Sequence, residues 1–391
     1  MNKVDVIIIG AGAAGLMTAI SAGKRGKNVL VLDHANKAGK KILMSGGGRC
    51  NFTNLDIQPE NYLGSNPHFH KSALSRYTQW DFISLVEKHN IPYHEKTLGQ
   101  LFCDNKSKDI LEMLLSECED VQSKIRLNCN VLEVVKTDNQ FELKTSLGLF
   151  TCESLVIATG GLSIPKMGAS GFGYEIAKQF GHTVMPTSAA LVPFTITDQL
   201  KQFLNELSGT SQDVSVTCNG QSFRENMLFT HRGLSGPAIL QISSYWNSGD
   251  TIEINLLPDE DVLAFAENSS NKSLEQILNQ LFSKKLSTIL CELFFNQIRS
   301  KNFAEISKQK KAEIHKQIHH WQIKPNGTEG YRTAEVTKGG VNTDEVSSKT
   351  FESKLVKGLF FVGEVLDVTG HLGGYNFQWA WSSGHACGQF V

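Results

Sequence analysis

Six consecutive residues, Gly10-Ala11-Gly12-Ala13-Ala14-Gly15, have the spacing G-x-G-x-x-G. That spacing serves phosphate binding when it joins a strand to a helix. The first glycine permits a tight turn and the second lets backbone approach a pyrophosphate. The third allows the helix to pack close on the strand. The first helical turn, entered through Ala13 and Ala14, offers N–H groups and a positive dipole end to the phosphates. Asp33 ends the next apolar run, NVLVL at residues 28–32, where a carboxylate would accept hydrogen bonds from the adenosine ribose. An acid there disfavours a 2′-phosphate, so the nucleotide at this site is not NADP. A glycine-rich structural turn is the plain alternative, and the full set of strand, glycines, helix and acid argues against it.

The fingerprint does not choose between NAD and FAD, but the other end of the sequence does. Phe360-Phe361-Val362-Gly363-Glu364 resembles the second signature of large FAD proteins, in which an acid after a strand and glycine binds the ribityl chain. Glu is the form seen in fumarate-reductase-like flavoproteins. GHLGGYNFQ follows at residues 370–378. Gly373 and Gly374 would let backbone reach a flat ring, with Tyr375, Asn376 and Phe377 opening a helix. N–H groups there suit flavin O2 and N1, where negative charge collects on reduction.

A third glycine-rich stretch, GKKILMSGGGRCNFTN at residues 39–54, reads as a loop. Lys41, Ser45, Gly46, Gly47 and Asn51 are expected to touch cofactor, as are Thr159-Gly160-Gly161 further on. Arg49 would neutralise phosphate or face an anionic substrate. Cys50 lies where it would approach the ring, in a redox role or as a small packing residue. His231 and Arg232, in FTHRGLSGP, either face the open side of the flavin or tie a junction loop together. A histidine there would move a proton and an arginine would hold an oxygen anion or carbonyl. His371 is a further proton-donor candidate.

These residues need a frame. Residues 4–9 are a short β-branched run, read as a buried parallel strand, and residues 12–26 as a helix, completing a β-α-β unit with 28–32. Helices are expected over 69–89 and 106–118. Strands are expected over 125–135, 140–145 and 149–158, an antiparallel excursion before the return to the parallel sheet. From about residue 186 the texture becomes β-rich, with strands at 191–196, 213–218 and 251–256. Residues 274–321 read as helical, and 359–362 as another buried strand. The resulting division is a discontinuous FAD-binding domain, 1–190 plus 331–391, with a β-rich module at 191–260 and a basic helical module at 261–330.

The 391 residues exceed one ordinary core. With 38 basic and 39 acidic residues, the net charge of −1 argues against a protein that coats nucleic acid everywhere. Residues 284–321 nevertheless carry a local charge of +5, from Lys284, Lys285, Arg299, Lys301, Lys308, Lys310, Lys311 and Lys316 against three acids. Phe303 and Trp321 are read as aromatic surface beside them. The stripe suits RNA, or is simply a solvated helix face. None of the eight cysteines forms a C-x-x-C pair or a zinc-type cluster, so no metal is expected. Scattered cysteines, with no membrane-spanning run, point to the cytoplasm.

Together, GKKILMSGGGRCNFTN, ATGG, FTHRGLSGP and GEVLDVTGHLGGYNFQWAWSSG resemble the BaiN-like family of FAD-dependent oxidoreductases, also labelled aminoacetone oxidase family FAD-binding proteins. The resemblance implies an α/β Rossmann-type, glutathione-reductase-like FAD domain with an inserted β-rich module and a small helical module. It implies non-covalent FAD, and two activities: reduction of an activated carbon–carbon double bond in a small enone, or of uridine to dihydrouridine in ribosomal RNA. No second G-x-G-x-x-G follows a strand, so NAD(P)H is expected as a diffusible reductant that uses the substrate cavity in turn. Two rival functions remain at this stage, an oxidase of a small amine and a non-catalytic FAD-containing RNA-binding protein.

Overall fold

The computed structural model describes residues 2–138, 140–197 and 200–391, and the chain divides into two compact units, 1–188 with 336–391, and 189–335. The first unit is built on a five-stranded sheet. Its strands run Leu359–Phe361, Ser154–Ile157, Val6–Ile9, Val29–Leu32 and Lys124–Arg126, all paired parallel. Val6, Ile7 and Ile8 are fully buried, as are Leu155, Val156 and Ile157. Strands covered on both faces need continuous apolar runs, and these sequences supply them.

Helix Ala13–Gly23 crosses from the first strand to the second. Helix Tyr375–Gly388 lies against it. The approach is close because Gly384 and Gly388 lack side chains. A Cβ at Gly384 would stand 2.5 Å from the Ala14 carbonyl oxygen, and one at Gly388 would overlap Ser21.

A four-stranded sheet branches from this core, with Gly148–Cys152, Phe141–Thr145 and Val131–Lys136 antiparallel in sequence. This is the antiparallel excursion, but two of its expected strands are each divided. The 125–135 run splits into Lys124–Arg126, in the parallel sheet, and Val131–Lys136, in the antiparallel one. Between them Asn128 takes φ +53°, and the Cys129 N–H bonds to the Asp33 carbonyl. The 149–158 run divides at Glu153 in the same way. The helix expected over 69–89 is two helices, Lys71–Arg76 and Gln79–Lys88.

The 39–54 stretch is not a plain loop. It holds helix Lys40–Met44, a tight turn Ser45–Gly48 and strand Asn51–Asn54, which pairs with Gln100–Cys103.

The second unit has a seven-stranded antiparallel sheet. Its order is Trp321–Ile323, Ile252–Asn255, Ser211–Cys218, Gln221–Thr230, Gly233–Ser235, Phe194–Thr195 and Gly327–Thr328. Helices Leu274–Leu281, Lys284–Leu290 and Lys308–His319 occupy the stretch expected to be helical, and Trp321 begins a strand instead. Sheet and helices share one core that runs from Phe194 through Leu278 and Ile314 to Ile323.

Candidate functional site

The nucleotide end is set by one turn. Gly10 has φ +114°, and a Cβ there would collide with the Ala158 carbonyl of the neighbouring strand. Gly15 brings the helix against the Gly10 carbonyl. Gly12 differs from both. It caps helix Ala13–Gly23, no side chain caps that end, and no acid stands in the first turn. A Cβ on Gly12 would meet nothing within 4 Å. The space before the helix N-terminus is therefore open to an anion, and the residues present fit a pyrophosphate.

Asp33 Oδ2 accepts the Ala11 N–H at 2.7 Å, and Oδ1 accepts the Ala35 N–H at 2.8 Å. These bonds hold the carboxylate at the edge of a cavity of about 230 Å³ lined by Ile9, Gly10, Leu32, His34 and Thr159. Apolar walls with one carboxylate at the rim suit an adenosine. Each Asp33 oxygen keeps acceptor capacity for a ribose hydroxyl beyond the backbone bond it makes.

Next comes a polar node. Lys41 Nζ donates to Glu364 Oε2 at 2.9 Å and to Ser163 Oγ at 2.6 Å. Glu364 Oε1 accepts from the Thr337 N–H at 2.9 Å and from the Ser163 hydroxyl at 3.2 Å. Thr337 Oγ1 in turn accepts the Leu162 and Ser163 N–H groups at 2.8 and 3.2 Å. The node fastens the Thr159-Gly160-Gly161 turn to Gly363-Glu364. Ser163 and Thr337 were not singled out in the sequence. Their signal was faint: a serine just past ATGG, and a threonine inside the apolar glycine strand VTKGGV.

At the flavin end, helix Tyr375–Gly388 starts at Gly374 with φ +97°, uncapped by any side chain. The Asn376 side chain accepts the Gly370 N–H at 2.8 Å and donates to the Gly370 and His371 carbonyls at 2.8 and 3.1 Å. Asn54 Nδ2 donates to the Gly373 carbonyl at 2.9 Å. With its amide turned to satisfy both neighbours, Asn51 accepts the Gly374 N–H at 3.2 Å. Trp381 Nε1 donates to the Phe52 carbonyl at 2.9 Å. The SGGGRCN and HLGGYNF motifs, far apart in sequence, thus form one surface. Gly46, Gly47 and Gly48 all have positive φ, so successive residues take a backbone form that only glycine adopts readily. Gly47 and Gly48 face open space and Arg49 is exposed.

The four residues considered for chemistry have different surroundings. Cys50 is fully buried, and burial pushes its thiol up to about 12 against a smaller opposing hydrogen bond to Ser45. A thiol so protonated is no nucleophile at neutral pH, and its packing accounts for it. Burial lowers His371 to about 4, so it is a neutral imidazole at pH 7. His231 and Arg232 belong to the second unit, in the exposed turn between Gln221–Thr230 and Gly233–Ser235. Thr230 Oγ1 accepts the Arg232 and Gly233 N–H groups, and Arg232 pairs with Glu329 at 3.3 Å. Also in that unit, the buried Tyr331 hydroxyl has no partner among the described residues.

Asp261, His315 and His319 place potential metal-ligand atoms within 4.8 Å of one another. His319 does not suit a metal: Nε2 accepts the Val262 N–H at 3.1 Å, and Nδ1 bonds Asn255 at 3.0 Å.

Comparison with known proteins agrees with this frame. Residues 4–390 match the family of HI0933-like proteins with a Rossmann domain. A protein of Escherichia coli (strain K12) named ribosomal RNA dihydrouridine synthase is 53% identical over 392 residues, covering 100% of this chain and 98% of that protein. A 3-dehydro-bile acid delta(4,6)-reductase of Clostridium scindens is 29% identical over 412 residues, covering 100% and 98%. The fold resembles that of 3-ketosteroid-delta4-(5alpha)-dehydrogenase from Rhodococcus jostii RHA1, with a TM-score of 0.52 at 14% identity, covering 99% of this chain and 97% of that one.

Proposed function

The chain belongs to the HI0933-like Rossmann-domain family and is an FAD-dependent oxidoreductase, and from that premise we propose that it reduces uridine in ribosomal RNA to dihydrouridine. The observation that carries this reading is the full-length 53% identity to the Escherichia coli synthase. The name of the Clostridium relative also denotes reduction of carbon–carbon double bonds. In uracil the C5–C6 double bond is conjugated with the C4 carbonyl, so hydride belongs at C6 and a proton at C5. The balance is uridine, NAD(P)H and one proton giving dihydrouridine and NAD(P)⁺.

FAD, held by the first unit, would supply the hydride relay between the two substrates. The chain's part is to hold the cofactor and the base. Gly12 and the helix behind it receive the pyrophosphate, Asp33 the ribose, and the Lys41–Glu364 node the ribityl side. His371, neutral, serves as an N–H donor to a carbonyl rather than as an imidazolium acid. We assign proton delivery to His231 and the holding of a substrate oxygen to Arg232. A uridine within folded RNA would have to leave its stack to be reduced.

The test is direct. Purified holoprotein, NAD(P)H and ribosomal RNA transcribed in vitro should yield a uridine that gains two hydrogens, read by nucleoside mass spectrometry. Reduction of a steroid enone with no change in RNA would move the chain to the small-molecule side of its family. Amine-dependent oxygen uptake would make it an oxidase.

A further inference from the structure

Helix Lys308–His319 opens with Lys308, Lys310 and Lys311, and no acid stands in its first turn. Helix Lys284–Leu290 repeats the pattern with Lys284 and Lys285. Cations at a helix N-terminus oppose its dipole, so these lysines lie where they cost the fold stability and concentrate positive potential.

The folded unit sorts the basic residues of the 284–321 stretch. Arg299 is tied to Glu275 at 2.7 Å, and Lys310 to Glu313 at 2.7 Å. Among the described residues, Lys301, Lys308 and Lys316 form no ion pair, and all three are exposed. A lysine from outside the stretch joins them. An antiparallel bridge between Ser273 and Asn302 sets Lys272 opposite Phe303, whose N–H bonds the Lys272 carbonyl at 3.0 Å. Lys311 Nζ stands 4.2 Å from the centre of the Phe303 ring. Lys308 is one helical turn before Lys311. Lys311 thus stands over the ring of buried Phe303, with Lys308 one turn earlier on the same helix; Lys272 is paired to Phe303 through the backbone, and Lys301 and Glu305 lie two residues before and after it.

We propose that this face of the second unit binds the phosphate backbone of RNA. The inference rests on the reading that the substrate is uridine in RNA. Phe303 and Trp321 had suggested a surface for stacking bases, but they are 0% and 4% exposed and offer no ring. The contact is therefore electrostatic, indifferent to base sequence and steeply salt-dependent.

The experiment compares the holoprotein with a Lys272→Gln/Lys301→Gln/Lys308→Gln variant and a control, Lys124→Gln/Lys144→Gln/Lys178→Gln, which removes three exposed lysines from the first unit. The probe is ribosomal RNA transcribed in vitro, titrated at several salt concentrations. The first variant should lose about tenfold or more in affinity, and its log–log salt slope should become shallower by about two to three. The control should keep both values. FAD content should match the parent in both variants, and neither should unfold at a lower temperature than the parent.

Equal affinity and slope in parent and first variant would overturn the proposal. An equal loss in the control, or a parent that does not bind the transcript, would do the same. Dihydrouridine formation is scored separately. Turnover with lysine-independent binding would overturn this surface alone, while lysine-dependent binding without turnover on RNA would overturn the substrate reading alone.

Discussion

Lys41 Nζ lies 2.9 Å from Glu364 Oε2, joining residues 323 positions apart in the chain. Neither side chain is fully exposed, at 33% and 19%. Glu364→Gln keeps the shape of the node and removes its charge. Hydrogen bonds to charged groups contribute about 1.5–3 kcal/mol. The dissociation constant for FAD, read from flavin fluorescence, is expected to rise about tenfold or more. An unchanged constant would mean that the node does not face the cofactor.

Gly12→Val tests the phosphate end without disturbing the fold. The position has extended ψ and an open surround, so valine fits the empty protein. What it fills is the space assigned to the pyrophosphate. The variant should be colourless as purified, with the thermal unfolding of FAD-stripped parent. Yellow protein with full FAD occupancy would remove the assignment.

Cys50→Ala separates packing from redox chemistry. The thiol, pushed up to about 12, is expected to be dispensable, and product formation should stay within about twofold of the parent. Alkylation at pH 7 should reach Cys50 only on unfolding. Loss of turnover with normal flavin content would restore a chemical role.

Glu117 supplies a pH prediction away from the site. Its buried carboxylate meets Lys24 and His89 at 2.9 Å, and Lys88 as well. Burial alone would raise its pKa, but hydrogen bonds from Lys88, His89 and Lys24 prevail and hold it at about 2. A depressed folded-state value stabilises the fold above the unfolded pKa, near 4.5, and that contribution fades as pH falls toward about 2. Glu117→Gln should cost about 2 kcal/mol near neutrality, the lysines being largely exposed. Urea titrations of parent and variant should converge on acidification. A difference that does not depend on pH would contradict this account.

Much of the nucleotide end was legible because each part is local. The β-α-β unit needs only apolar runs, three glycines and one acid, all within 33 residues. The 39–54 stretch was not legible. Helix Lys40–Met44 starts from Gly39 at φ +63° rather than from a serine or aspartate cap. Strand Asn51–Asn54 looks like loop because its asparagines are spent on Gly373 and Gly374, in a distant segment. Ser163 and Thr337 acquire meaning only when folding brings Glu364 between them. The 125–135 run hid its break because apolar spacing does not reveal that one part pairs with Val29–Leu32 and the other with Phe141–Thr145.

The packing of helix Tyr375–Gly388 on helix Ala13–Gly23 bears on the order of assembly during synthesis. Ser21 Oγ and His385 Nδ1 are 3.2 Å apart but 364 residues distant in sequence. As the chain emerges, the first helix waits through the whole second unit for the glycines that cover it. The 189–335 unit has its own core and meets no such delay. Cofactor capture is therefore expected only once the Tyr375–Gly388 segment has left the ribosome, and until then the surface around Ala14 and Ser21 lacks its covering helix.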